Sequence, residues 1–140
     1  MPERDLVSGV AQLSNLLTRR LGPLFEKAGI TPQQWAVLSV LGESGDAMSL
    51  AAIGRAMLVS KQNMTGMVAR LEQLGLAERS GDPADLRSSR VQLTRRGRAL
   101  VEKMKPLYQQ WIAQLGGRDV QGLARSINRL IEQLQQTEEE

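Results

Sequence analysis

Cysteine and histidine are both absent from this chain of 140 residues. Without cysteine the protein has no disulfide, no thiol redox chemistry and no thiolate metal ligand, and without histidine it lacks the commonest general base. The acidic residues do not follow the spacing of a calcium-binding loop. We therefore predict no metal site, no cofactor and no catalytic residues.

Long apolar runs are also missing from the sequence. None approaches the roughly 18 residues that a membrane helix requires. The first nine residues, MPERDLVSG, begin with charges where a secretory signal would be apolar. We therefore predict a cytoplasmic protein without a membrane partner, and the length fits a single domain.

Basic residues are concentrated in the middle of the chain. Residues 55–98 hold nine Lys and Arg against four Asp and Glu, a net charge of +5, whereas the segments before and after each carry −1. A basic segment is typical of a nucleic-acid-binding surface, but also of an ordinary solvated face. Charge alone leaves both interpretations open.

Helical spacing of apolar residues predicts four helices in the first half of the chain. They extend from Leu6 to near Gly29, from Pro32 to residues 43–45, from Leu50 to about Met57, and from Ser60 to Leu74. Thr31 and Gln34 form a capping-box pattern, and Ser49 and Ser60 are N-cap residues. The last two helices, joined by a turn at Leu58 and Val59, have the outline of a helix-turn-helix.

The second half of the chain predicts a hairpin followed by two long helices. Extended stretches at 77–80 and 88–93 are separated by turn formers at 81–85. Thr94 caps a helix that Pro106 should kink. Gly116 and Gly117 precede a last helix, whose apolar stripe ends before an acidic, frayed tail. The predicted fold class is mainly α, with a small β-hairpin wing.

The helix after Ser60 has one apolar side and one polar side. Its apolar residues are Met64, Met67, Val68, Leu71 and Leu74, and those opposite are Gln62, Thr65, Gly66, Ala69 and Gln73. Lys61, Asn63 and Arg70 lie at the margins, where amide and cationic groups can pair with base edges. Gly66 costs about 1 kcal/mol inside a helix, which indicates close approach to DNA, packing against another subunit, or simple tolerance.

Cations in and after the hairpin suggest contacts with phosphate or the minor groove. Arg87 lies at the predicted tip, with Asp85 placed to hold it. Arg90 lies on the outward face of the second strand. Arg95 and Arg96 occupy a helix's first turn, where the macrodipole disfavours cations unless a phosphate is near. A solvated surface is the alternative for this pair.

The order of elements from Ala51 to Gly97 resembles the MarR family of bacterial winged helix-turn-helix regulators. The residues that carry the resemblance are Ser60-Lys61-Gln62-Asn63-Met64-Thr65, Val68-Ala69-Arg70-Leu71-Glu72, Gly75-Leu76, Asp82-Pro83, Asp85-Leu86-Arg87, Leu93-Thr94 and Gly97. The outer helices fit as well, so the resemblance covers essentially the whole chain. Leu86 departs from the family pattern, which usually has a basic residue there, so wing affinity is expected to be lower.

The resemblance implies a homodimer that binds double-stranded DNA at a pseudo-palindromic operator, as a repressor. Residues 1–30 and 99–140 would be dimerisation helices, and residues 31–98 the DNA-binding lobe. The expected DNA-binding residues are Ser60, Lys61, Gln62, Asn63, Thr65, Gly66, Arg70, Arg87, Arg90, Arg95 and Arg96, with Asp85 supporting the wing.

The resemblance also implies release from DNA by a small aromatic ligand. Leu17, Trp35, Leu38 and Trp111 are the candidate pocket residues, although both tryptophans also fit a purely structural core position. Peroxide sensing through cysteine, which some family members use, is excluded. The rival functions are a winged-helix module for protein contacts, which needs no basic helix face, and an enzyme, which needs a catalytic set that the sequence lacks.

Overall fold

The computed structural model describes residues 5–81, 89–115 and 118–139. These residues form six helices and two strands: α1 (Leu6–Glu26), α2 (Pro32–Ser44), α3 (Leu50–Met57), α4 (Lys61–Gln73), β1 (Ala77–Ser80), β2 (Arg90–Leu93), α5 (Arg95–Ala113) and α6 (Arg118–Glu139). The predicted fold class, mainly α with a small hairpin, is confirmed. The chain divides into two compact units, residues 1–103 and 104–140, with the boundary inside α5. The single-domain expectation stays a prediction.

Side-chain caps determine where the first four helices begin. Thr31 and Gln34 form the predicted capping box, with N–H to oxygen distances of 2.9 and 3.1 Å. The hydroxyls of Ser49 and Ser60 accept from the backbone three residues on, at 3.0 and 3.2 Å. Asp5 caps α1 in the same way, which the sequence analysis did not predict. Each cap satisfies an N–H group that the helix itself leaves unpaired.

The core of the first unit lies between α2, α3, α4 and the hairpin. Met64, Val68 and Leu71 of α4 have no exposed surface, which confirms the predicted apolar side of this helix. Phe25 at the end of α1 stacks on Trp35 of α2, with ring centroids 5.4 Å apart. The polar side of α4 is thereby left facing outward.

The hairpin is antiparallel and shorter than predicted. Ala77 pairs with Leu93 and Ser80 with Arg90. The second strand begins at Arg90 rather than at residue 88; Ser89 is buried but outside the strand, and residue 88 lies outside the described residues. Met48 adds a bridge to this strand, since it exchanges two backbone hydrogen bonds with Val91 at 2.7 and 2.8 Å. In the sequence analysis, Met48 falls between two predicted helices and is assigned to no element.

Thr94 joins the hairpin to α5. Its hydroxyl accepts a hydrogen bond from the Gly97 N–H at 3.0 Å and donates to the Gly75 carbonyl at 2.7 Å. The first bond confirms the predicted cap, and the second connects the cap to the segment after α4. α5 contains Pro106 and ends at Ala113.

α6 carries the predicted apolar stripe, and the expected frayed tail is wrong. The helix continues to Glu139, because the polar residues after Leu134 are mostly good helix formers. Four large apolar residues of the stripe are 37–60% exposed: Leu123, Ile127, Ile131 and Leu134. The predicted break at Gly116 and Gly117 lies outside the described residues. In the described parts of the chain, no helix combines the length and apolar character needed to cross a membrane.

Candidate nucleic-acid interface

The first turn of α4 is the most exposed polar part of this helix. Lys61, Gln62 and Asn63 are all exposed, directly after the Ser60 cap. The cap fixes the direction in which the turn leaves the chain, so these three side chains project from one end of a helix whose other side is packed. A helix end of this kind can present side chains to base edges in a major groove.

The other predicted residues of α4 lie further along the helix. Thr65 is half-buried, and its hydroxyl donates to the Lys61 carbonyl at 3.0 Å. Arg70 is exposed in the last turn and donates to the Gln73 side chain at 3.2 Å. The hydroxyl proton of Thr65 is therefore occupied within the helix, whereas the guanidinium of Arg70 retains further donors.

Gly66 lies in the middle of the exposed side of α4. A Cβ atom built at this position would meet no described atom within 4 Å. Packing within the described part of the chain therefore does not require glycine at position 66. All three explanations offered by the sequence, which are close approach to DNA, packing against another subunit and simple tolerance, therefore stay open.

Three predicted cations are exposed outside α4. Arg90 lies at the start of β2, with its side chain on the face opposite to buried Val91. Arg95 and Arg96 occupy the first turn of α5, which contains no acidic residue. The positive end of the helix dipole therefore adds to two cations, and an anion is the complementary partner.

The predicted tip of the wing lies outside the described residues. This applies to Asp85, Leu86 and Arg87, so the minor-groove role of Arg87 and the supporting role of Asp85 stay predictions.

The four candidate pocket residues occupy different parts of the structure. Trp35 and Leu38 are buried one turn apart on α2 and are 7% and 0% exposed. Leu17 is half-buried on α1, and Trp111 is half-buried in the second unit. The stacking of Trp35 on Phe25 shows that this tryptophan serves the core. Whether the four residues form a ligand pocket stays a prediction.

A different cavity lies near the first turn of α5. Its volume is about 300 Å³, and its apolar lining includes Leu74, Leu76 and Leu100, with Arg96 and Lys103 as its cations. An apolar surface beside two cations suits a small ligand with an apolar body and a negative charge. None of the four candidate pocket residues lines this cavity.

Sequence reasoning missed two residues that shape this lobe. Gly54 is buried, and a Cβ atom there would lie 2.8 Å from the Val59 carbonyl oxygen, so glycine permits the tight turn before α4. A glycine inside a short predicted helix was an available signal. No local sequence pattern indicates the role of Met48, because its bridge partner Val91 is 43 residues away in sequence.

Comparison with known proteins identifies this arrangement of elements. Residues 28–88 match the model of the MarR family. The organic hydroperoxide resistance transcriptional regulator of Bacillus subtilis is 30% identical over 125 residues, which cover 88% of this chain and 84% of the relative. The chain belongs to the MarR family. This family consists of transcriptional regulators rather than enzymes, in agreement with the sequence analysis.

One further relative and one solved structure are also similar to this MarR-family chain. The transcriptional activatory protein BadR of Rhodopseudomonas palustris is 37% identical over 93 residues, or 65% of this chain; the chain spans only about half of BadR's length, 53%. The structure of reduced AbfR bound to DNA has a TM-score of 0.74 and 25% identity, covering 92% of this chain and 91% of AbfR. The winged helix-turn-helix fold is therefore shared over nearly the whole MarR-family chain.

Proposed function

We propose that this protein is a sequence-specific DNA-binding regulator of transcription that inserts α4 into the major groove of an operator. The observation that carries the proposal is the contrast between the two sides of α4. On one side, Met64, Val68 and Leu71 have no exposed surface. In the first turn, by contrast, Lys61, Gln62 and Asn63 are all exposed. The AbfR complex supports it, because a protein of the same fold binds DNA.

Phosphate contacts from α5 and the wing would hold α4 in register. Arg95 and Arg96 combine two exposed charges with the positive end of a helix. Arg90 extends the basic surface to the hairpin, and Arg87 would enter the minor groove. DNA binding also agrees with the cytoplasmic location expected from the sequence.

The protein would act as a homodimer. α1 and α6 each expose a series of large apolar residues, including Val7, Val10, Ile127 and Leu134. Exposed apolar surface of this extent is typical of an interface. A two-fold dimer presents two recognition helices about 34 Å apart, which matches two half-sites of a pseudo-palindromic operator.

Release by a small aromatic ligand belongs to the same proposal. The cavity beside α5 would receive an aromatic acid, with its ring against Leu74 and Leu100 and its carboxylate near Arg96. The same arginine is an expected phosphate contact, so a bound ligand would compete for its charge. We expect repression as the outcome of operator binding; a reporter gene measured with and without the protein distinguishes repression from the activation for which BadR is named.

Fluorescence anisotropy with duplex DNA from upstream of the protein's own gene, against a scrambled duplex, tests the proposal. Wild type should bind the upstream duplex at least a thousandfold more tightly than the scrambled duplex. Gln62→Ala should weaken upstream binding at least about thirtyfold, because a dimer loses two bidentate base contacts and each contributes roughly 1–3 kcal/mol.

Gln133→Ala is the matched control. Gln133 is also exposed, but it lies on α6, off the apolar stripe. Equal binding to both duplexes would contradict sequence-specific recognition of the upstream DNA. Equal losses from the two glutamine variants would contradict the proposed base contact of Gln62.

A further inference from the structure

Leu58 adopts an unusual backbone conformation between α3 and α4. Its φ of 54° and ψ of 41° place it in the left-handed region, and it is the only residue other than glycine with positive φ among the described residues. A leucine Cβ is crowded by the adjacent carbonyl oxygen in this conformation, so glycine or asparagine is the usual residue.

The turn itself requires the left-handed conformation but not the leucine side chain. The Leu58 N–H bonds back to the carbonyls of Gly54 and Arg55, and the Val59 N–H bonds to Gly54 at 2.9 Å. These bonds use only the backbone. Glycine would satisfy all of them without the steric penalty.

The leucine side chain gains little from burial in return. Leu58 is 56% exposed, whereas Ile53, earlier on α3, is fully buried. A strained residue whose side chain is largely in solvent is explained most simply by a contact made with another molecule.

The position of Leu58 identifies that molecule. It lies two residues before the Ser60 cap, at the end of α4 that we propose enters the major groove. The exposed residues that follow, Ser60, Lys61 and Gln62, are all polar. Leu58 is thus the large apolar side chain at this end of the helix, and the apolar group that base edges display in the major groove is the thymine methyl group.

We propose that Leu58 contacts the C5-methyl group of a thymine in each half-site and thereby contributes to operator specificity. The inference rests on the proposed function. It adds an apolar contact from the turn to the polar contacts of α4, and it accounts for both the exposure and the strain of Leu58.

Removing individual thymine methyl groups from the DNA tests this contact. Wild-type protein first selects a binding duplex from a random-sequence pool. The two thymines at equivalent positions of the half-sites are then replaced together by deoxyuridine, which lacks only the methyl group. Each such position is changed in turn, and affinity is measured by anisotropy. One replacement should weaken wild-type binding about fourfold per methyl group, the equivalent of about 0.8 kcal/mol.

Three protein variants, measured on the thymine and deoxyuridine duplexes, complete a double-mutant cycle. Leu58→Asn should bind the thymine duplex more weakly and lose its sensitivity to that deoxyuridine, whereas Leu58→Met should keep the sensitivity. Leu58→Gly should unfold at the same or a higher urea concentration than wild type while binding more weakly, which separates a binding defect from a folding defect.

The outcomes separate the inference from the function on which it rests. If wild type selects no sequence, the proposed function itself fails. If wild type selects one, and Leu58→Asn binds it as tightly as wild type or is weakened equally on the thymine and deoxyuridine duplexes, DNA binding stands and the thymine contact is overturned.

Discussion

Gly66 and Gly97 both lie in helices, but different physical conditions surround them. Among the described residues, a Cβ atom at Gly66 would meet nothing within 4 Å, whereas at Gly97 it would overlap the Leu76 carbonyl oxygen. That oxygen belongs to the backbone between α4 and β1 and cannot move away as a flexible side chain would. The structure therefore requires glycine at position 97, whereas no described residue requires it at position 66.

Alanine substitutions at these two glycines should have opposite effects. Gly97→Ala should lower the free energy of unfolding by about 3 kcal/mol, because the new methyl group displaces packed backbone. Gly66→Ala should raise it by up to about 1 kcal/mol through helix propensity, while weakening operator binding if DNA approaches the helix there. Urea unfolding measures the two changes in stability, and fluorescence anisotropy measures the change in operator binding. Equal stability of the two variants would contradict this account.

At the scale of elements, Thr94 connects three parts of the first unit. Thr94→Val keeps the shape but removes both hydroxyl bonds, so the Gly97 N–H loses its cap and the Gly75 carbonyl its donor. We expect a loss of about 2 kcal/mol in unfolding free energy. Thr94→Ser, which keeps the hydroxyl, should lose less than about 0.5 kcal/mol. A valine variant as stable as the serine variant would show that these bonds contribute nothing net.

The first turn of α5 should contribute to the salt dependence of DNA binding. In a dimer, Arg95→Ala or Arg96→Ala would each remove two phosphate contacts, which lowers the slope of log affinity against log salt by about 2. Arg129→Ala, an exposed cation on α6, serves as the control and should leave the slope unchanged. Unaltered slopes for all three variants would leave α5 outside the interface. The measurement is a salt titration of anisotropy.

Helix starts were predictable because their signals are local. Thr31, Ser49, Ser60 and Thr94 each bond to a backbone N–H three residues away, so sequence spacing alone identifies them. The bridge from Met48 and the contact of Gly97 with Leu76 depend on tertiary packing, which local periodicity does not contain. The same holds for the site: its residues on α4 were predicted from the helical period, but the exposure of Leu58 was not.

At the scale of the whole molecule, the apolar stripe of α6 makes dimerisation testable. Ile127→Lys should convert a dimer into monomers in sedimentation velocity experiments, because a charge would be buried in the proposed interface. Gln133→Lys adds the same charge to an exposed position off the stripe and should leave the dimer intact. Monomeric wild-type protein at micromolar concentration would contradict the proposed dimer, and with it the reading of two half-sites.

The close approach of Gly97 to Leu76 has a mechanical consequence. Together with the bond from Thr94 to Gly75, it fastens the first turn of α5 to the segment that ends α4. We therefore expect the beginning of α5 and the end of α4 to move together. In the proposed dimer, a small tilt of α5 would then also rotate α4 and change the distance between the two helices that we propose enter the operator.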